Sequence, residues 1–287
     1  MVGPRYLARR PHLLLNTGTA SEIGLSQSII TLTTDFGTRD PWVGIMKGVI
    51  LGICPEARLV DISHDIGPQD VLEGALCLEA SARFFPRGTV HLAVVDPGVG
   101  SSRRPLALRA GGQCYVGPDN GLLSLVLDDG GPVDAVELTR EEYRRSPASQ
   151  TFHGRDIFAP AAAHLASGVP LERLGPVVTD PVRLSVPSSR HDNGLILGEV
   201  IGADRFGNLL TSVTAKDLAA LEGPRAPVVE IGGVRVGAPV TAYAEARPGG
   251  MGAVVSSTGR LEVFVREGSA QAALGLGRGA PVVVKRG

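Results

Sequence analysis

Two aspartates each stand at the end of a run of apolar and β-branched residues: Asp35 after IITLTT and Asp96 after TVHLAVV. A carboxylate at the end of a buried strand can accept from a ligand's hydroxyls or polarise a water, and it also serves as a turn former or helix cap. Asp96 opens the stretch DPGVGSSRR, whose small residues let backbone N–H groups approach a ligand and which ends with Arg103 and Arg104. A third capable group is FHGRD, which puts His153 at a loop-to-helix junction with Arg155 and Asp156 beside it. Asp, Arg and His in one place could orient and activate a water. The glycine-rich stretch matches neither the P-loop nor the dinucleotide fingerprint, so neither a nucleoside triphosphate nor NAD is expected. His64, next to Asp65 in DISHD, has no third ligand suggested by the sequence, so no metal centre is expected there. His91, inside a strand, reads as core.

The elements that would position these residues follow an α/β rhythm from Ile29. Strands are expected at 29–34, 58–63 and 89–95, near 106–108 and 114–116, and near 133–138. Between them, Asp40-Pro41 supplies an N-cap and an N1 proline for a helix carrying Val43, Met46, Ile50 and Ile53. Asp70 and Glu73 form an acidic capping box ahead of a helix carrying Leu72, Leu76 and Ala80. Further helices are expected near 122–127 and over 154–166. Alternating strands and helices imply a mostly parallel sheet covered on both faces. After about residue 190 the texture changes to short β runs separated by Gly, Pro and Asp turns, with helices only at 216–221 and 269–276. This predicts a smaller all-β, barrel-like domain. The domain plan is a poorly ordered extension at 1–28, an α/β domain at 29–190 and a β domain at 191–287.

Composition narrows the class of partner. The chain is 43% hydrophobic and 20% charged, with 28 Lys+Arg against 29 Asp+Glu, and the balance holds in both halves. No basic stripe invites nucleic acid or an anionic membrane, and no apolar run approaches the ~18 residues of a membrane span. Arg5, Arg9 and Arg10 precede a leucine run too short for a signal peptide. Cys54, Cys77 and Cys114, odd in number and set in apolar stretches, read as buried thiols of a cytoplasmic protein.

Six motifs then occur in order: TLTTDFG (31–37), VDISHDI (60–66), VVDPGVGSSRR (94–104), PDNG (118–121), TFHGRDIFAP (151–160) and DRFGN (204–208). Together they resemble the S-adenosyl-L-methionine (SAM) hydroxide adenosyltransferases, adenosine-forming SAM hydrolases related to the SAM-dependent fluorinase and chlorinase. The resemblance covers the chain from residue 29 to its C-terminus. It implies an α/β domain followed by a β-barrel, in trimers with active sites between subunits. It also implies a catalytic set of Asp96, Arg103 and His153, with Asp35 binding the ribose hydroxyls. Asp204 would pair with the methionine ammonium, Ser257 would bind its carboxylate, Asn208 would read the adenine edge and Tyr243 would stack beneath the purine. In the halogenases the position of Asp96 is aromatic, that of Arg103 is a small hydroxyl residue, and a long insertion is present that this chain lacks. These departures point to water as the nucleophile.

The chemistry is consistent with that implication. The sulfonium of SAM leaves as a neutral thioether and needs no general acid, whereas water is a weak nucleophile that needs polarising. The expected activity is therefore hydrolysis of SAM to adenosine and L-methionine, with SAM as substrate and no cofactor or metal. A non-catalytic SAM- or adenosine-binding protein and a SAM-dependent halogenase are the alternatives.

Overall fold

The structure, a computed structural model, describes residues 28–127, 134–221 and 226–286, so the extension expected at 1–28 lies outside the described residues save Ser28. The β-branched run IITLTT forms β1 (Ile29–Thr34) and is followed by α1 (Trp42–Ile53), which buries Val43, Met46 and Ile50. The expected start of α1 moves by one residue. Pro41 is its cap residue, and no side chain caps it. A proline in that place removes one of the N–H groups that a cap would satisfy. Strand β2 (Arg58–Ser63) leads to α2 (Val71–Ala82), where Asp70 accepts from the Glu73 N–H at 2.9 Å as expected. The reciprocal half of the capping box is missing, because the Glu73 carboxylate accepts from the Gly67 N–H at 3.2 Å.

Strands β3 (Val90–Val94), β4 (Pro105–Ala110), β5 (Gln113–Pro118) and β6 (Asp134–Glu137) complete a six-stranded sheet ordered β2-β1-β3-β5-β4-β6. The first four strands of that order run parallel, while β4 is antiparallel to both β5 and β6. The antiparallel edge comes from a hairpin whose two turn residues, Gly111 and Gly112, have φ of 57° and 79°. Two consecutive left-handed residues are what a two-residue hairpin turn needs, and glycine adopts them freely. The helix expected near 122–127 is a single 3-10 turn, Ser124–Val126. The helix expected at 154–166 is split: a wide π-type turn, Gly154–Phe158, precedes α3 (Ala159–Ala166). On one face of the sheet, Met46 and Ile50 of α1 and Ala159 to Ala163 of α3 pack on Ile30, Leu32, Leu92 and Val94. On the other, Leu78 of α2 packs with Leu122 and Leu123 on Leu106 and Leu108.

The second sheet begins with β7 (Arg190–Asp192), which pairs with β8 (Leu195–Ala203). It continues through β9 (Leu209–Thr214), β10 (Val228–Ile231), β11 (Val234–Gly237), β12 (Met251–Val255), β13 (Arg260–Val265) and β14 (Pro281–Lys285). All its ladder pairings are antiparallel, in the order β11-β10-β14-β8-β9-β13-β12, and a bridge from Val240 to Val254 brings the ends towards closure. Two short helices, α4 (Ala215–Ala219) and α5 (Ala270–Leu274), complete it around a core that includes Ile196, Leu209, Val263 and Val284. The two sheets are joined by side chains of α2 and its flanks: Asp70 to Arg278 at 2.8 Å, Glu79 to Arg260 at 3.3 Å, and Arg83 to the Ser257 carbonyl at 2.6 Å. Among the described residues no helix is long and apolar enough to cross a membrane. The three thiols are free, and burial pushes that of Cys77 up to about 11.

Candidate active site

The register of the central strands explains why Asp35 and Asp96 are neighbours. Thr34 pairs with Val94 in the parallel β1–β3 ladder, so the loops that follow emerge side by side at the carboxyl edge of the sheet. That edge is where open α/β sheets bind ligands. The Asp96 loop is also pressed against the segment leading to His153. Gly100 has φ +78°, and a Cβ there would lie 2.5 Å from the Gln150 carbonyl oxygen. Only glycine lets the two segments lie this close.

The three sequence-selected residues Asp96, Arg103 and His153 come together. The Arg103 guanidinium donates from Nε to Asp96 Oδ1 at 2.9 Å and from Nη2 to Asp96 Oδ2, a forked, charge-assisted pair. Nη2 also lies 2.7 Å from His153 Nδ1. The Arg103 and Asp96 side chains are only 9% and 6% exposed, and the guanidinium carbon sits 5.2 Å above the Phe158 ring. Since a guanidinium only donates, His153 Nδ1 must accept, which puts the proton of a neutral imidazole on Nε2. Burial, reinforced by the positive charge of Arg103, lowers the His153 pKa, so the neutral form holds at pH 7. Arg103 Nη1 is buried and has no protein acceptor among the described residues. The cluster therefore offers one unspent donor on a cation, one carboxylate and one N–H.

Asp35 is half-buried on the adjacent loop, and its Oδ2 accepts from the Gln69 N–H at 2.8 Å. Its other oxygen is available to a ligand. The rings nearest these two loops form a cluster: Phe152 meets Phe36 and Trp42 edge-on, with centroids 6.1 and 5.4 Å apart.

Asp204, Asn208 and Tyr243 line a second cavity, about 440 Å³, on the β-barrel side. The DRFGN turn is built by its first residue. The Asp204 carboxylate accepts from the N–H groups of Phe206 at 2.9 Å and Asn208 at 2.8 Å, and from Asn208 Nδ2 at 2.9 Å. Asn208 therefore has its amide nitrogen committed and its carbonyl oxygen free to accept. Gly207, at φ +80°, is required here because a Cβ would collide with Ser269. Tyr243 donates to Glu262 at 2.9 Å and meets Phe264 edge-on, and burial beside that carboxylate pushes its hydroxyl up to about 12. Ser257 stands apart: it is exposed in the β12–β13 turn, does not line this cavity, and engages Arg83 through its backbone carbonyl. Among the described residues no hydrogen bond or ion pair joins the Asp35–Asp96–Arg103–His153 set to the Asp204–Asn208–Tyr243 set.

The structure adds residues that sequence reasoning passed over. Phe206, Phe264, Arg266 and Glu267 complete the second cavity, and the exposed aromatic in DRFGN was the one available signal. The PDNG motif proves architectural: Asp119 accepts from Arg104 Nε at 2.7 Å and from the Val182 N–H at 2.7 Å, while Asn120 Nδ2 donates to the Val95 carbonyl next to Asp96. Asp156 of FHGRD is likewise an anchor. Burial would raise its pKa, but bonds from Arg155 and the Ser149 N–H outweigh that and lower it. Among the described residues no three His, Cys, Asp or Glu side chains converge as a metal's ligands would.

Comparison with known proteins places the chain among relatives. The family model for the SAM hydroxide adenosyltransferase N-terminal domain matches residues 30–175, and that for the C-terminal domain matches residues 198–283. The chain is similar to a Thermus thermophilus protein named (R)-S-adenosyl-L-methionine hydrolase, 42% identical over 87% of this chain and 96% of that one. It is also similar to a fluorinase of Actinoplanes, 34% identical over 66% of this chain and 73% of the fluorinase. A crystal structure of an uncharacterized conserved protein from Thermotoga maritima superposes with a TM-score of 0.83 at 34% identity, covering 90% of this chain and all of that one.

Proposed function

This chain belongs to the SAM hydroxide adenosyltransferase family, and from that premise we propose that it hydrolyses S-adenosyl-L-methionine to adenosine and L-methionine. The observation that carries the reading is the Asp96–Arg103–His153 cluster at the carboxyl edge of the sheet, set beside Asp35. Water attacks C5′ opposite the sulfonium; the O–C5′ bond forms as the C5′–S bond breaks, and the electron pair leaves on the methionine thioether. The unspent Nη1 donor of Arg103 holds the water and favours its hydroxide character. His153 Nδ1 is committed to Arg103, so its Nε2–H orients the water and Asp96 is left as the proton acceptor. Asp35 accepts from the ribose hydroxyls. The Asp204–Asn208–Tyr243 cavity takes the adenine, with the Asn208 carbonyl oxygen facing the exocyclic amino group. Asp204 serves the methionine ammonium, and the role the resemblance gives Ser257 at the carboxylate has no support from its place outside this cavity.

Two separated half-sites in one chain favour an assembly that brings them together across subunits, and the family resemblance implies that this assembly is a homotrimer. Exposed apolar residues beside both halves, Trp42 on one and Phe206 and Tyr243 on the other, support this. With a cation and an N–H to hold the water and a carboxylate to take its proton, the site needs no metal, and the free thiols suit the cytoplasm. The Thermus relative is named for the (R) sulfonium epimer, and we extend that preference to this chain. Attack at C5′ is blind to the configuration at sulfur, so such a preference must come from the walls around the sulfonium methyl. Separate incubation with the (R) and (S) epimers, following adenosine and methionine, tests the reading. Equal amounts of the two products from the (R) epimer support it; no turnover of either epimer refutes it.

A further inference from the structure

His64 and Asp61 take no part in the chemistry above, yet with Thr34 they form a row behind Asp35, buried at Thr34 and His64 and open to solvent at Asp61. The β1–β2 pairing is irregular: Leu32 pairs with Asp61 and Thr33 with Ser63, so Ile62 is an extra residue on β2. Residues three apart on a regular strand point to opposite faces, and a bulge re-aims them. Here it brings His64 Nε2 to 3.0 Å from Asp61 Oδ1. The approach is close but off the hydrogen-bond axis, so it serves as an electrostatic anchor. Asp61 is held in turn by Lys47 Nζ of α1 at 2.6 Å. The imidazole is 6% exposed, and its Nδ1 lies 2.8 Å from Thr34 Oγ1. These partners fix the proton on Nε2, facing the carboxylate, and leave Nδ1 to accept from the Thr34 hydroxyl. The Thr34 oxygen then accepts from the Phe36 N–H at 3.3 Å.

Hydroxyl, imidazole and carboxylate in a row are also the parts of a nucleophilic triad. Thr34 is 0% exposed and its oxygen is already engaged, so no substrate reaches it. The row ends instead on the backbone that carries Asp35. Besides the Thr34–His64 bond, the Gly37 N–H donates to the His64 carbonyl at 2.8 Å, and the Gln69 N–H donates to Asp35 itself at 2.8 Å. The β1–α1 and β2–α2 loops are thereby locked to each other through His64.

We propose that His64, anchored by Asp61 and Lys47, is a positioning residue that sets the direction of the Asp35 carboxylate towards the ribose hydroxyls. This rests on the assignment of Asp35 to the ribose. The test measures kcat and KM of wild type, Asp35→Ala, Thr34→Val, His64→Phe and His64→Asn, with SAM and with its 2′,3′-dideoxy analogue. Thr34→Val is close to isosteric, and His64→Asn keeps an acceptor near the Thr34 hydroxyl. With SAM, Thr34→Val and His64→Phe should raise KM about tenfold, near the value of one hydrogen bond, with kcat falling less. His64→Asn should recover most of that loss. With the analogue, which lacks the hydroxyls, Thr34→Val, His64→Phe and His64→Asn should match wild type. Equal losses with both substrates would show a general structural defect and overturn the proposal. If Asp35→Ala raises KM for SAM but folded Thr34→Val and His64→Phe do not, the positioning role alone is wrong. If Asp35→Ala leaves KM unchanged, the ribose assignment fails and the positioning role falls with it.

Discussion

Replacing Arg103 by lysine keeps the positive charge and removes the planar fork, which separates charge from geometry in the water site. In the native cluster Arg103 makes three contacts: Nε to Asp96 at 2.9 Å, Nη2 to the other Asp96 oxygen, and Nη2 to His153 at 2.7 Å. A lysine ammonium at the end of a flexible stem can keep one of these. Two charge-assisted contacts are lost, at about 1.5–3 kcal/mol each, so the upper limit is about 3–6 kcal/mol. Since about 1.4 kcal/mol is a factor of ten in rate, Arg103→Lys should lower kcat by roughly 10²–10⁴. SAM binding, which rests on Asp35 and the second cavity, should change little. The assay is single-turnover release of adenosine at saturating SAM, with SAM affinity measured separately by calorimetry. A kcat within about tenfold of wild type would show that charge alone suffices and would refute the role given to the fork. A loss confined to affinity would place Arg103 in binding.

Acid should destabilise the fold through His91. Its ring is 0% exposed, stacks on Tyr115 with centroids 4.9 Å apart, and has a pKa lowered to about 4 by burial. A depressed pKa gives stability that is complete above the unfolded value near 6.5 and is lost as pH falls towards 4, amounting to about 3 kcal/mol. Urea midpoints across that window should drop in wild type and drop less in His91→Gln; identical profiles would contradict the assignment. Mixing Asp35→Ala with Asn208→Ala protein under subunit exchange should restore activity that neither has alone, and a fully active monomer in sedimentation would rule out shared sites. Activity should survive EDTA, whereas loss on chelation with recovery on adding one divalent ion would require a metal.

Much of the α/β half was legible because its signals are local. A β-branched run followed by Asp reads as a strand with a functional end, and Asp70 reads as a helix cap. The antiparallel edge was readable too, in the Gly111-Gly112 pair between two apolar runs, but an alternating rhythm suggests parallel strands and hides it. The bulge at Ile62 was not legible, since its cause is the long-range match of β2 to β1. For the same reason Asp61, Lys47 and Thr34 gave no sign of converging on His64. In the water site, the residue types pointed to Asp96, Arg103 and His153, but the direction of each hydrogen bond required coordinates. The double duty of Asp204, which holds Asn208 as well as facing the second cavity, depends on a turn geometry that the motif DRFGN does not spell out.

The most direct measurement of the central claim is incubation with SAM in H₂¹⁸O, with and without chloride, followed by mass analysis of the nucleoside product. Water attack at C5′ predicts adenosine carrying one heavy oxygen at its 5′-hydroxyl, together with methionine, whether or not chloride is present. Unlabelled adenosine would contradict attack by water, a halogenated nucleoside would show that halide takes the Arg103 site, and intact SAM bound at measurable affinity would leave the protein a binder and the catalytic reading wrong.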